Sequence, residues 1–489
     1  MKRPVFWFVV GSQHLYGPEV LDTVAARAAE MAAELESDGA IPFGIVCQNV
    51  VTTPGEALKT VREANYDDGC AGLIVWCHTF SPSKMWINGL TELQKPYLHL
   101  HTQYNRNIPD RDIDMDFMNL NQSAHGDREH GFIGARLRAP RKIVAGYWRD
   151  KAVREKIGSW MRSAAGCRVS RDLKVVRFGD NMRQVAVTEG DKVGAQIQLG
   201  WQVNTWPVGD LVREADAVAE TEIDALVEEY GRQYTFSTDD AGAVRYQARV
   251  ELAIQKILGR EGAGAYTNTF EDLHGMRQLP GLASQRLMEQ GYGYGGEGDW
   301  KVAAMTRVMK AMTEGMGGGT SFMEDYTYDL EPGRELSLGA HMLEVCPTLA
   351  AGKPEIQVHP LCIGGREPPA RLVFEGKAGK AVVVSLIDMG GRLRLIAQDV
   401  ECVKPVYEMP NLPVARVMWR AEPDLLTAAH AWLLAGGAHH TVLSYDATAE
   451  MMEDWAEMTG IEFVRIHKGT TIEALKKELF FADVAWKLR

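Results

Sequence analysis

Residues 5–39 read VFWFVVGSQHLYGPEVLDTVAARAAEMAAELESDG, and this stretch decides the fold. Val5–Val10 is apolar at every position, as a strand buried on both faces of a parallel sheet must be. The polar, glycine-flanked loop Gly11–Gly17 follows. Leu21, Val24, Ala28, Met31 and Leu35 then recur at helical spacing, and Gly39 closes the helix. The unit repeats immediately: strand Phe43–Cys47, helix 55–65, strand Ala71–Cys77, helix 83–94, strand Tyr97–His101. Strands alternating with helices require right-handed crossovers and give a doubly wound α/β sheet.

In such a sheet, ligands bind beyond the C-terminal ends of the strands. Those ends carry Gln13 and His14, then His78-Thr79-Phe80-Ser81, then His101-Thr102-Gln103. Three polar loops on one rim suit a small polar molecule.

A second alternating block starts at Leu173–Phe178. It continues through a strand at Gln202–Val208, helices near 209–217, 221–231 and 243–258, a short strand Ala263–Thr267, and helices Pro280–Gln290 and Asp299–Met312. Beyond Gly315–Gly319 the texture changes to short strands at 320–328, 336–346, 355–361, 370–375 and 381–388, the last pairing with 392–398 across the turn dipeptide Gly390-Gly391. Helices near 423–434, 447–458 and 471–480 complete the chain. The expectation is therefore two doubly wound, Rossmann- or flavodoxin-like α/β domains, 1–170 and 171–319. A mainly antiparallel, barrel-like domain, 320–489, follows them. Three domains also suit 489 residues at roughly 150 residues per domain.

Composition excludes several classes of function. With 46% hydrophobic and 24% charged residues the chain has the balance of a globular protein rather than of a disordered or fibrous one. Its 65 acidic against 53 basic residues give a net charge of −12, without the basic footprint that nucleic acid or anionic lipid demands. No apolar run reaches the ~18 residues of a membrane helix. The basic start Lys2-Arg3 leads into an apolar run with no small-residue cleavage pattern, so the chain reads as unprocessed and cytoplasmic. Cys47, Cys70, Cys77, Cys167, Cys346, Cys362 and Cys402 are scattered, odd in number and free of CxxC pairs, which reads as buried thiols in a reducing compartment.

Gly293-Tyr294-Gly295-Gly296-Glu297-Gly298 is a literal GxGxxG. A dinucleotide site, however, needs a strand directly before it, and Ser284–Gln290 reads as helix. Glu297 would also set a negative charge beside the diphosphate. The glycines read better as a close backbone approach that presents Glu297. Gly315–Ser321 lacks the lysine of a phosphate loop and reads as a flexible hinge. The residues that carry chemistry are different. Glu297 lies near a helix N-terminus, where an ionised carboxylate is favoured. Glu324 lies in the apolar, aromatic strand 321–328, His341 in the expected strand 338–345, and His439 and His440 at a helix-to-strand turn. Charged or polar groups in apolar strands are costly unless paired or metal-bound. Two carboxylates with two imidazoles suit a divalent ion, with the oxygen-rich mix leaning towards Mn²⁺ over zinc. Spacing alone does not establish such a site, nor choose between His439 and His440.

Around these residues the sequence closely resembles the L-arabinose isomerase family. The likeness is carried by VGSQHLYGPE (10–19), GLIVWCHTFSPSKMWINGL (72–90), DIDMDFMNLNQSAHG (112–126), RFGDNMRQVAVT (177–188), TFEDLHG (269–275), GYGGEGDWK (293–301), GGTSFMEDYTY (318–328), HMLEVCP (341–347) and LAGGAHHTV (434–442). The resemblance implies conversion of L-arabinose to L-ribulose through an enediol, with D-galactose to D-tagatose as a side activity. It implies Mn²⁺, with Co²⁺ or Mg²⁺ as substitutes, held by Glu297, Glu324, His341 and His440. The two glutamates double as the catalytic pair, one acting at carbon and the other at oxygen. It implies a pocket lined by Gln13, Leu15, His125 and Phe270, and a homohexamer in which the N-terminal domain of one subunit helps close its neighbour's site. An isomerase of the same architecture acting on another sugar, such as L-fucose or D-galactose, would share the metal site and differ in the pocket lining. No role follows for His130.

Overall fold

The computed structural model describes residues 3–361, 363 and 365–488. They form two compact units, one up to Arg168 and one from Val169 on. No described helix is long and apolar enough to cross a membrane.

The first unit runs β1 (Val5–Gly11), α1 (Pro18–Glu36), β2 (Gly44–Cys47), α2 (Pro54–Tyr66), β3 (Cys70–Cys77), α3 (Ile87–Glu92), β4 (Tyr97–His101), α4 (Met115–Leu120), α5 (Ser123–Arg136), β5 (Lys142–Ala145) and α6 (Lys151–Arg171). The strands lie in the order β2-β1-β3-β4-β5, all parallel. This is the flavodoxin-like doubly wound arrangement, whose direction of winding reverses between β1 and β3. Every residue of β3 is buried, as its apolar sequence requires. On α1 the inward stripe is Val24, Ala28, Met31, Ala32 and Leu35. The helix expected at 83–94 is instead a 3₁₀ turn, Ser83–Trp86, followed by α3. It ends at Glu92 because the Asn65 side chain takes the Gln94 N–H at 2.9 Å. Cys47 is half-buried, and Cys70, Cys77, Cys167, Cys346 and Cys402 are buried free thiols; Cys362 lies outside the described residues.

The second unit begins with β6 (Lys174–Phe178), α7 (Lys192–Leu199), β7 (Gln202–Trp206), α8 (Val208–Asp216), α9 (Glu220–Gln233), β8 (Thr235–Phe236), α10 (Ala241–Glu261), β9 (Ala265–Asn268), α11 (Leu282–Glu289), β10 (Gly293–Gly295) and α12 (Trp300–Met312). Its parallel sheet has the order β10-β9-β6-β7. There follow β11 (Thr320–Asp329), β12 (Leu336–Ala340), β13 (Glu355–Val358), β14 (Ala370–Val373), β15 (Gly379–Asp388), β16 (Leu393–Val403), β17 (Arg416–Ala421), α13 (Leu425–Ala435), β18 (His440–Ser444), α14 (Ala449–Thr459), β19 (Glu462–Ile466) and α15 (Ile472–Lys487). Strands β15-β18-β11-β12-β17-β16 are antiparallel neighbours, and pairing of β16 back to β15 closes the ring. Closure removes the unpaired edges that an open sheet would expose. Strand β19 adds parallel to β16. A small sheet, β14-β13-β8, completes the unit.

Two further expectations are corrected. The strand expected over 336–346 stops at Ala340, because the Glu344 carboxylate accepts from His341 Nδ1 (2.5 Å) and from the Leu343 N–H (3.1 Å) and draws the chain into a turn. Gly315–Ser321 is not a free hinge. The Gly318 and Gly319 N–H groups donate to Asp446 at 2.9 and 2.7 Å, and Lys377 Nζ donates to the Gly317, Gly318 and Thr348 carbonyls.

Candidate active site

The site grows from the glycine-rich segment 293–298. A strand does meet this motif, but it is β10, built from the motif's own Gly293–Gly295. The glycines are there for contact. A Cβ on Gly293 would lie 2.1 Å from the Ala303 carbonyl, one on Gly295 2.5 Å from the Asp299 carbonyl, and one on Gly298 2.5 Å from Asn181 Cα. The chain therefore lies flat on α12 and swings Glu297 out between them. Glu297 itself has φ +58°, a left-handed conformation that a non-glycine residue holds only when its surroundings enforce it.

Strand register brings in the other groups. On β11, Glu324 lies opposite His440 of β18 on one side and Ala340 of β12 on the other, with His341 the next residue after Ala340. Directly opposed residues carry Cβ atoms about 4.5–5.5 Å apart. The Phe322 ring packs edge-on against both imidazoles, 4.8 Å from His341 and 5.2 Å from His440. Glu297 Oε2 stands 3.4 Å from His439 Nε2 and 3.7 Å from His440 Nε2. One ligand atom from each of Glu297, His439 and His440 falls within 4.8 Å of the other two.

Each buried imidazole has a carboxylate behind it. Glu344 accepts from His341 Nδ1, which leaves Nε2 as the free lone pair of that ring. Asp299 Oδ2 lies 3.4 Å from His440 Nδ1, while Asp299 Oδ1 caps α12 and faces Lys301 Nζ at 3.1 Å. Lys301 is fully buried, with its ammonium also on the Thr188 and Glu189 carbonyls. Such outer carboxylates fix the tautomer and the aim of an imidazole. Burial raises the Glu297 carboxyl's affinity for a proton, but His439, His440 and His341 outweigh it and hold the group below its ordinary range. Burial alone would lower His341, yet Glu344 raises it; His440 is lowered by its burial.

A cavity of about 290 Å³ opens onto this cluster. Its walls include Glu297, Glu324, His341, Phe270, Asn268 and Tyr326. Of the residues expected to form the site, Phe270, Glu297, Glu324 and His341 border the cavity, and His440 stands buried behind Glu297. Gln13, Leu15 and His125 belong to the rim of the first unit. Leu15 is 83% exposed, and His125 stacks on Phe80 with 5.5 Å between centroids. The same rim is tied by Ser12 to Thr79 (2.7 Å) and by Tyr16 to Gln122 (2.6 Å). Sequence reading missed Asp299, Glu344 and Asn268. The first two could have been found as carboxylates two and three residues beyond Glu297 and His341, within GEGDWK and HMLE.

The fold is that of an α/β protein whose cavity, large enough for a small sugar, gathers carboxylates and imidazoles. The L-arabinose isomerase N-terminal, central and C-terminal domain families match residues 1–172, 174–315 and 319–462. Among curated proteins, the L-arabinose isomerase of Geobacillus stearothermophilus is 57% identical over 99% of this chain and 98% of its own. That of Bacillus subtilis (strain 168) is 55% identical over 99% and 98%, and that of Thermotoga petrophila 54% over 100% and 99%. The chain belongs to the L-arabinose isomerase family, whose members are aldose–ketose isomerases.

Proposed function

We propose that this chain converts L-arabinose to L-ribulose through an enediol, with D-galactose to D-tagatose as a slower side reaction. The observation that carries the proposal is the convergence of Glu297, Glu324 and His341 on one cavity, with His440 against Glu297. The residues fit a resident divalent ion. With Asp299 facing Nδ1 of the buried His440, its Nε2 lacks a hydrogen-bond partner, an arrangement that is costly unless a ligand uses it. Glu344 leaves His341 a single free nitrogen. Two carboxylates and two imidazoles favour Mn²⁺, one per subunit, with Co²⁺ or Mg²⁺ as substitutes. Of the two adjacent histidines, His440 is the proposed ligand, and half-exposed His439 holds the charge on Glu297. When bound, the ion would act as a Lewis acid on the carbonyl and the adjacent hydroxyl and orient the open-chain sugar.

The chain's own groups do the rest. Glu297, kept ionised by its histidine neighbours, is ready to accept a proton, and Glu324 faces the same cavity. One of the pair carries the proton between C2 and C1 and the other the proton between the two oxygens. The apolar side, with Phe270, Leu279 and Leu343, excludes water from the enediol. We further propose a homohexamer in which Gln13, Leu15 and His125 of one subunit complete the pocket of the next.

Glu297→Gln and Glu324→Gln are each expected to lower kcat on L-arabinose by about 10²–10⁴-fold, the usual worth of a general acid or base, with circular dichroism and melting unchanged. A folded E324Q protein with wild-type turnover would contradict the assignment.

A further inference from the structure

The cavity holds one feature that the isomerase chemistry above does not use. Asn268 is the last residue of β9, at the C-terminal edge of the parallel sheet where ligands bind. Its backbone is fixed on both sides. It pairs with Phe178 of β6 in register, and its carbonyl accepts the N–H of Gly298, the residue after Glu297, at 3.0 Å. Asn268 borders the same cavity as Glu297, Glu324 and His341 and is only 4% exposed, and its buried Nδ2 has no hydrogen-bond partner. Other polar groups of the wall are already engaged: the Tyr294 hydroxyl donates to Glu344, as does His341 Nδ1. A buried amide donor without a partner carries a desolvation cost that a ligand oxygen would remove.

We propose that Asn268 Nδ2 donates a hydrogen bond to a hydroxyl of the open-chain sugar beyond C2 and thereby helps select the substrate. The inference rests on the isomerase reading. The carboxylate and imidazole end of the cavity takes C1 and C2, so the amide meets an oxygen further along the chain. Two N–H donors on a rigid strand end suit a hydroxyl acceptor of fixed configuration. A site built to hydrogen-bond a hydroxyl discriminates against sugars that lack it.

The test is a substrate-deletion cycle. Wild type, Asn268→Ala and Asn268→Asp are compared on L-arabinose and on its 3-deoxy, 4-deoxy and 5-deoxy analogues, after circular dichroism confirms folding. The Asp variant keeps the shape and removes the donor. Both variants are expected to lose about tenfold in kcat/KM on L-arabinose, mainly through KM, as a single neutral hydrogen bond predicts. On one of the three deoxy sugars, wild type and variants should then be equally efficient. Variants as efficient as wild type on L-arabinose, or a loss of the same factor on all four sugars, would overturn the proposal. Wild type that fails to turn over L-arabinose would instead defeat the isomerase reading, and this inference with it.

Discussion

Glu251 shows how far burial can move a carboxyl that lies outside the candidate site. It lies on α10, almost fully enclosed, accepting from the Tyr230 hydroxyl at 2.6 Å and from the Gln290 amide at 2.7 Å, with Arg286 Nε at 3.6 Å. Burial pushes its carboxyl up to about 7 in spite of Arg286. A carboxyl raised in the folded state lowers stability as pH climbs from its unfolded value, near 4.5, through 7, because the folded protein resists the charge. Glu251→Gln keeps the shape and removes the titration. Its stability relative to wild type is therefore expected to rise between pH 4.5 and 7 in urea titrations, and a pH-independent difference would contradict the account. Glu297 is the opposite case: also partly buried, it is held ionised by three histidines.

At the scale of elements, the glycine segment and the strand register aim the site. Gly295→Ala would set a methyl 2.5 Å from both the Asp299 carbonyl and Val302 Cγ1. The backbone must then lift off α12, at a cost of about 1–3 kcal/mol, and carry Glu297 with it. Lower melting together with lost turnover is the expected outcome; a variant melting and reacting as wild type would refute the role given to this contact. Much of this was legible in the sequence. The alternation over residues 5–101, the hairpin at Gly390-Gly391 and the shortlist of Glu297, Glu324, His341, His439 and His440 needed only pattern and polarity, whereas the choice of His440 over His439 rested on the family resemblance. Other features were not legible. Strand β5 is short and half exposed, so it has no clean periodicity. The end of β12 is set by a carboxylate three residues after His341. The pairing of Glu324 with His440 depends on a register between strands more than 110 residues apart, which local pattern does not encode.

At the scale of the molecule, the first unit buries two histidines whose protonation burial opposes. His78, beside Arg27, and His130, bonded to Ser83 and Tyr97 and packed 5.0 Å from His99, are each held down to about 3 by burial. His130, for which the sequence offered no role, is thus a packing residue bound to its neighbours as the neutral ring. A histidine lowered in the folded state contributes stability above its unfolded value near 6.5 and loses it as pH falls towards 3, by about 1.4 kcal/mol per pH unit for each group. His101, raised by Asp127, works in the opposite sense and loses its contribution as pH rises. The first unit should therefore lose hydrogen-exchange protection between pH 6.5 and 4, and His130→Gln should shallow that slope; an unchanged slope would contradict it.

These residues are proposed to form a metal-dependent isomerase of L-arabinose. The direct measurement is ketose formation from L-arabinose, D-galactose and L-fucose by EDTA-stripped protein, before and after Mn²⁺ is added. Turnover is expected to fall on stripping, return with Mn²⁺ and be fastest on L-arabinose. Undiminished turnover by fully stripped protein, or none from folded, Mn²⁺-loaded protein, would contradict the proposal.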